Sequence, residues 1–116
     1  MEIITREQNS LQIISLKGRL DASTAPQLQT NFEGNIVLGN RFFILNCQGV
    51  DYVSSGGLRV LLIMTKKVRA LAGGLVLSNL HPFVEDLLTM AGFNKVIPTV
   101  ASEEEAINLL TKGETK

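Results

Sequence analysis

A single cysteine, Cys47, leaves the chain unable to form an intramolecular disulfide, so its fold must rest on a packed core. Cys47 closes the apolar run Phe42-Phe43-Ile44-Leu45-Asn46-Cys47, which reads as a buried strand carrying a packed, unreactive thiol. Histidine also occurs once, at His81, and one histidine with one cysteine cannot furnish a usual zinc site. A serine hydrolase elbow needs G-x-S-x-G, but Val53 stands where the first glycine would precede Ser55, and the lone histidine leaves no Ser…Asp…His order. His81, directly before Pro82, reads as a helix-start residue and not as a base. No G-x-x-x-x-G-K-[ST] phosphate loop is present either. The expectation is a protein that is not an enzyme, holds no metal and needs no cofactor.

Charge of either sign is not in excess. Eleven basic residues balance eleven acidic ones, which argues against nucleic acid as a partner. The longest aliphatic run, Val60 to Met64, is far too short to span a bilayer. Met1-Glu2-Ile3 opens no basic segment followed by an apolar stretch, so no signal peptide is expected. Together these absences predict a soluble cytoplasmic protein without membrane insertion; a monomer or weak dimer is expected.

What is present suffices for one domain. Of the 116 residues 45% are hydrophobic, enough for a core, and no linker or repeat divides them. The domain is expected over residues 1–111, with 112–116 as a flexible tail. Residues 2–6 and 11–17 read as a hairpin turning at Asn9-Ser10, with Gly18 ending its second strand. Ser23 or Thr24 then caps a helix with Pro26 in its first turn, and Gln27 is placed for a capping box with Thr24. Leu28, Phe32 and Ile36 form that helix's apolar stripe.

The run 42–47 is apolar at successive positions, as a central strand must be. A second helix is expected from Ser55 to Ala72, stopped by Gly73-Gly74. Leu75 to Ser78 is a strand, His81-Pro82 opens a third helix closed by Gly92, and residues 95–97 make a short strand. Ser102 followed by Glu103-Glu104-Glu105 starts a last helix, its carboxylates at the positive end of the dipole. The order β-β-α-β-α-β-α-β-α predicts an α/β fold: a mainly parallel sheet of four to five strands with an antiparallel N-terminal edge strand. With each strand adding on the same side of the last, the four helices are expected in a one-sided βα layer.

One segment carries the functional signal: Asp51-Tyr52-Val53-Ser54-Ser55-Gly56-Gly57-Leu58-Arg59-Val60-Leu61-Leu62. It joins the carboxyl end of the central strand to a helix N-terminus, where open α/β sheets usually meet ligands and partners. Free first-turn amides there favour an anion. Two hydroxyls and two glycines read as a sterically open corner; equally, they read as an N-cap and a tight turn. At 100° per residue, Leu61, Thr65, Val68 and Ala72 share one face with Leu58 nearby, the expected core stripe. Arg59, Ile63, Lys66 and Ala70 fall opposite, flanked by Leu62, Val60 and Lys67, which marks either a partner surface or a face covered by neighbouring helices.

Gly18-Arg19-Leu20-Asp21, then Asp51 to Leu62, then Gly73-Gly74-Leu75 and Ala91-Gly92-Phe93 together resemble the anti-sigma-factor antagonists, whose domain is called STAS. The resemblance extends over nearly the whole chain in order and spacing. It implies a single STAS domain and a partner switch. The unphosphorylated antagonist binds an anti-sigma factor that is also a serine kinase and frees the sigma factor; phosphorylation releases it, and a serine phosphatase resets it. Carried over by position, the phosphoacceptor is Ser55, and Asp21 is the family's acidic residue near the acceptor. Many members have aspartate before the acceptor and serine or alanine after it; here Ser54 and Gly56 stand there, which makes Ser54 a secondary acceptor candidate. The partner surface is expected to comprise Asp21, Ser54, Gly56, Gly57, Arg59, Ile63 and Lys66. Domains of this kind also serve as non-switching scaffold subunits or as small partners of transporters, and this is the alternative.

Overall fold

The computed structural model describes residues 1–114. The chain forms β1 (Glu2–Gln8), β2 (Leu11–Leu20), α1 (Ala25–Val37), β3 (Phe42–Val53), α2 (Ser55–Ala70), β4 (Gly74–Ser78), α3 (Pro82–Met90), a 3-10 turn at Phe93–Lys95, β5 (Thr99–Val100) and α4 (Glu103–Glu114). The strands stand in one sheet in chain order. β1 runs antiparallel to β2 and every other pair is parallel, as expected. Asn9 and Ser10 both take positive φ, 53° and 65°, the two-residue turn whose twist matches a hairpin.

The crossover helices α1, α2 and α3 lie on one face. Leu28 and Phe32 of α1, Leu61 and Met64 of α2, and Val84 and Leu88 of α3 share a core with Ile14, Phe43, Leu45 and Leu77. The one-sided arrangement expected for all four helices fails at α4. Its Ala106 and Leu110 pack with Leu11, Ile13, Ile44 and Val76 on the opposite face. The reason is the two-residue period of a strand, which sends Ile44 and Val76 away from Phe43, Leu45, Leu75 and Leu77. A sheet apolar on both faces needs a second cover, and α4, being no crossover, is free to provide it.

Several element limits differ from expectation. Gly18 does not end β2. It takes φ +117° at a register irregularity, and the strand continues to Leu20 beside a β3 that extends to Val53. Thr24 forms no capping box with Gln27, because its hydroxyl donates to Arg19 O at 2.6 Å; Asp21 O accepts the amides of Thr24 and Ala25 instead. α2 ends at Ala70, two residues early. Ala72 adopts φ +60° and the Gly73 amide folds back to Val68 O at 2.7 Å.

The strand expected at 95–97 lies at Thr99–Val100. The amides of Val96 and Ile97 both donate to Phe93 O at 2.9 Å, so the turn has taken the groups a sheet would need. At α4 the Glu105 amide donates to Ser102 Oγ at 3.2 Å, as the sequence predicts for a cap. α4 runs through Glu114, so the first part of the expected 112–116 tail is helical, while Thr115 and Lys116 lie outside the described residues.

Candidate functional site at the start of α2

β3 ends on the buried Val53, and Ser54 turns the chain with extended backbone, φ −92° and ψ 177°. Ser54 Oγ accepts the Gly57 amide at 3.4 Å, and Ser54 O accepts Leu58 N at 2.9 Å. Ser54 is therefore the N-cap, half-buried and engaged. Ser55 is the first helical residue and is exposed. The first-turn amides of Ser55 and Gly56 have no intrahelical acceptor, and the positive end of the helix dipole lies there. Of the two hydroxyls, Ser55 is the one offered to solvent in a field that favours an anion.

The glycines do not hold the corner open, which was one of the two readings the sequence allowed. A Cβ on Gly57 would lie 2.4 Å from Leu20 O, and one on Gly56 would lie 3.0 Å from Ala22 Cα. They are glycine because the turn after β2 presses against them, tied by Ser54 N donating to Leu20 O at 2.9 Å. Gly57 is buried in that contact, so its place in the expected partner surface is corrected: it packs inside the protein. Gly56 is half-buried.

This contact brings the Asp21 turn to the same rim as Ser55. Asp21 Oδ1 accepts the Ser23 hydroxyl at 2.7 Å, the Ser23 amide at 3.0 Å and the Thr24 amide at 3.2 Å. Those bonds, the Ser23 hydroxyl foremost, hold the Asp21 carboxyl down at about 2, so it is an anion throughout the neutral range. Asp21 thus shapes the turn whose next residue, Ala22, packs against Gly56.

Sequence reasoning gave no role to Arg19 or Tyr52. They are neighbours across β2 and β3, with the Arg19 guanidinium 4.5 Å from the Tyr52 ring centre and its Nε 3.5 Å from Asp21 Oδ2. An exposed pair of this kind adds little stability. It does place a cation beside the rim's carboxylate, and the position of Arg19 within Gly18-Arg19-Leu20-Asp21 was the available signal.

Along α2 the buried residues are Gly57, Val60, Leu61, Met64, Thr65 and Val68. The expected stripe is right for Leu61, Thr65 and Val68. It misses Met64, wrongly sets Val60 on the outer flank, and includes Ala72, which lies beyond the helix. α2 packs on the sheet and against α1, so a wider arc is covered than one stripe. Arg59 and Lys66 are exposed, and Leu62 and Ile63 are half-buried. Arg59, Ile63 and Lys66, spaced i, i+4, i+7, therefore share a face that starts beside Ser55.

Neither remaining reactive side chain joins this site. His81 Nε2 lies 2.7 Å from Gln48 O, fixed to the backbone at the start of α3. Cys47 is buried, and burial pushes its thiol up to about 12. Native protein at pH 8 is expected to resist iodoacetamide and to label fully once denatured, read by intact mass. Fast labelling of the native form would show that Cys47 is not packed as described.

Residues 2–106 match the family model described as the STAS domain. The chain belongs to the STAS domain family. A relative called anti-sigma factor antagonist BtrV in Bordetella bronchiseptica is 32% identical over 106 residues, covering 91% of each chain. Among solved structures, an anti-sigma factor antagonist of Thermotoga maritima superposes with a TM-score of 0.89 at 16% identity, covering 94% of each chain. The antagonist SpoIIAA in its unphosphorylated form gives 0.76 at 23% identity over 95% of this chain and 98% of its own. SpoIIAA of Bacillus in the phosphorylated form gives 0.72 at 24%, over 92% and 97%. These structural likenesses show that the STAS fold is shared. No helix among the described residues is long and apolar enough to cross a membrane.

Proposed function

We propose that this STAS domain is an anti-sigma factor antagonist that works as a cytoplasmic partner switch. Unphosphorylated, it binds an anti-sigma factor that is also a serine kinase and so frees a sigma factor. Phosphate on Ser55 ends the complex, and a serine phosphatase restores it. The observation that carries this reading is the division of labour at the α2 corner: Ser54 is occupied as the cap while Ser55 is exposed at the helix N-terminus. The name of the Bordetella relative and the existence of SpoIIAA in phosphorylated and unphosphorylated forms support it.

Asp21, Ser54 and Gly56 form the rim of the proposed interface, and Arg59, Ile63 and Lys66 extend it along α2. Ser54 in place of the family's aspartate bears on which kinase reads the site. The direct test adds unmodified protein to complexes of each sigma factor with its anti-sigma factor from the same genome and measures released sigma factor. Release from one pair is expected; no release from any pair rejects the proposal.

Ile63 separates interface from core. Ile63→Ala is expected to cost about 1 kcal/mol of stability or less, since Ile63 is only half-buried, while weakening the partner complex measurably in calorimetry. A loss of several kcal/mol in urea unfolding would place Ile63 in the core and remove it from the interface.

A further inference from the structure

The sheet edge is open along part of β4. β5 pairs only with Leu77 and Ser78, so the first half of β4 has no strand on that side among the described residues. Gly74 N donates to Arg41 O toward β3, and Leu77 N donates to Pro98 O toward β5. Peptide groups alternate along a strand, so that of Leu75 points outward with that of Leu77. Extending the ladder back by one rung would need Val96 O as acceptor for the Leu75 amide and residue 98 as donor to its carbonyl. Val96 O instead accepts from Arg69 at 2.6 Å, and Pro98 has no N–H. The sequence itself stops the ladder there.

Beside this gap lies a pocket of about 260 Å³ between α2 and α4, walled by Val68, Leu75, Val96, Pro98, Leu109 and Leu110. Its volume falls just below the range of about 300–1,000 Å³ usual for drug-sized ligands, so an occupant must be small. Among the described lining residues Arg69 is the one charged group and none is acidic. Leu109, 45% exposed, adds an apolar surface that α4 leaves uncovered.

We propose that this pocket binds a small apolar carboxylate, with its hydrocarbon between α2 and α4 and its carboxylate at Arg69 beside the Leu75 amide. The guanidinium holds Val96 O through one nitrogen and has further N–H donors for an anion. The outward Leu75 amide is a second donor that a plain hydrocarbon would leave unmatched. An amine would meet the like charge of Arg69. On α2 the pocket is lined by Thr65, Val68 and Arg69, ten to fourteen residues and about 15–21 Å of helix rise from Ser55, so this ligand is distinct from the phosphoacceptor corner.

The test titrates isotope-labelled protein with sodium octanoate, with 1-octanol as the uncharged control, following amide shifts by NMR. Saturable octanoate shifts at Val68, Leu75 and Val76 are expected, with octanol binding about tenfold more weakly. Arg69→Gln is expected to weaken octanoate by about tenfold, and Leu109→Glu, which sets a like charge at an exposed helix position, to weaken it as well. Equal affinity for octanoate and octanol, shifts that never saturate, or octanoate binding unchanged in both variants would overturn the proposal.

Discussion

Ser55→Asp is expected to lower affinity for the anti-sigma kinase by about a hundredfold or more, because a charge buried unpaired at an interface costs several kcal/mol. The free protein should be almost unaffected. Phosphate on Ser55 adds about −1.5 to −2 charges, and at an exposed helix N-terminus the first-turn amides and the dipole stabilise an anion by about 0.3–1 kcal/mol. On the proposed switch the modification is therefore expected to suit the folded domain and to harm only the complex, where a bulky dianion would replace a small hydroxyl. Ser55→Ala should still bind the partner and no longer be released by ATP. Calorimetric titration of the partner with each form, alongside melting curves, checks this. A phosphorylated protein that melts well below the unmodified one would make the switch a folding event instead.

Gly57→Ala is expected to destabilise the domain by about 3 kcal/mol, the upper end of typical overpacking costs. The added Cβ would sit 2.4 Å from Leu20 O and 2.9 Å from Leu20 Cγ, and Leu20 is a core residue at 2% exposure that cannot easily retreat. Gly56→Ala meets the exposed Ala22 at 3.0 Å, in a turn with more freedom to shift, so its cost should be smaller. Urea unfolding of both variants measures the difference. Near-wild-type stability for Gly57→Ala would mean that the turn after β2 is not held against α2, and the account of how Asp21 reaches the rim would fall.

The order of strands and helices was legible because the apolar runs at 42–47 and 75–78, the serine pair Ser54-Ser55 and Ser102 are local signals. The second half of β3 was not, since Gln48, Gly49 and Asp51 are polar or small and this stretch is paired only with β2, through Gly49, Val50, Tyr52 and Val53. Position 97 is apolar because Ile97 fills the core from a turn, which a hydrophobic pattern cannot tell from a strand. Nor does any local pattern say which face of the sheet a terminal helix covers, so α4 was misplaced.

At the site, Ser55 and Asp21 could be aligned by motif, whereas the meaning of Gly56-Gly57 depended on what approached them. Two small residues look the same in a sequence whether they keep a corner empty or let another turn fill it. The contact with Leu20 and Ala22, far apart from them along the chain, decides the matter.

The central claim is that Ser55 is the acceptor of a regulatory phosphate. Incubating the protein with ATP and each anti-sigma kinase of its own genome, then mapping phosphate by mass spectrometry, tests it most directly. The account predicts a single phosphate on Ser55, retained in Ser54→Ala and lost in Ser55→Ala. Phosphate on Ser54 in the unaltered chain, or on no residue with any of those kinases, would contradict it.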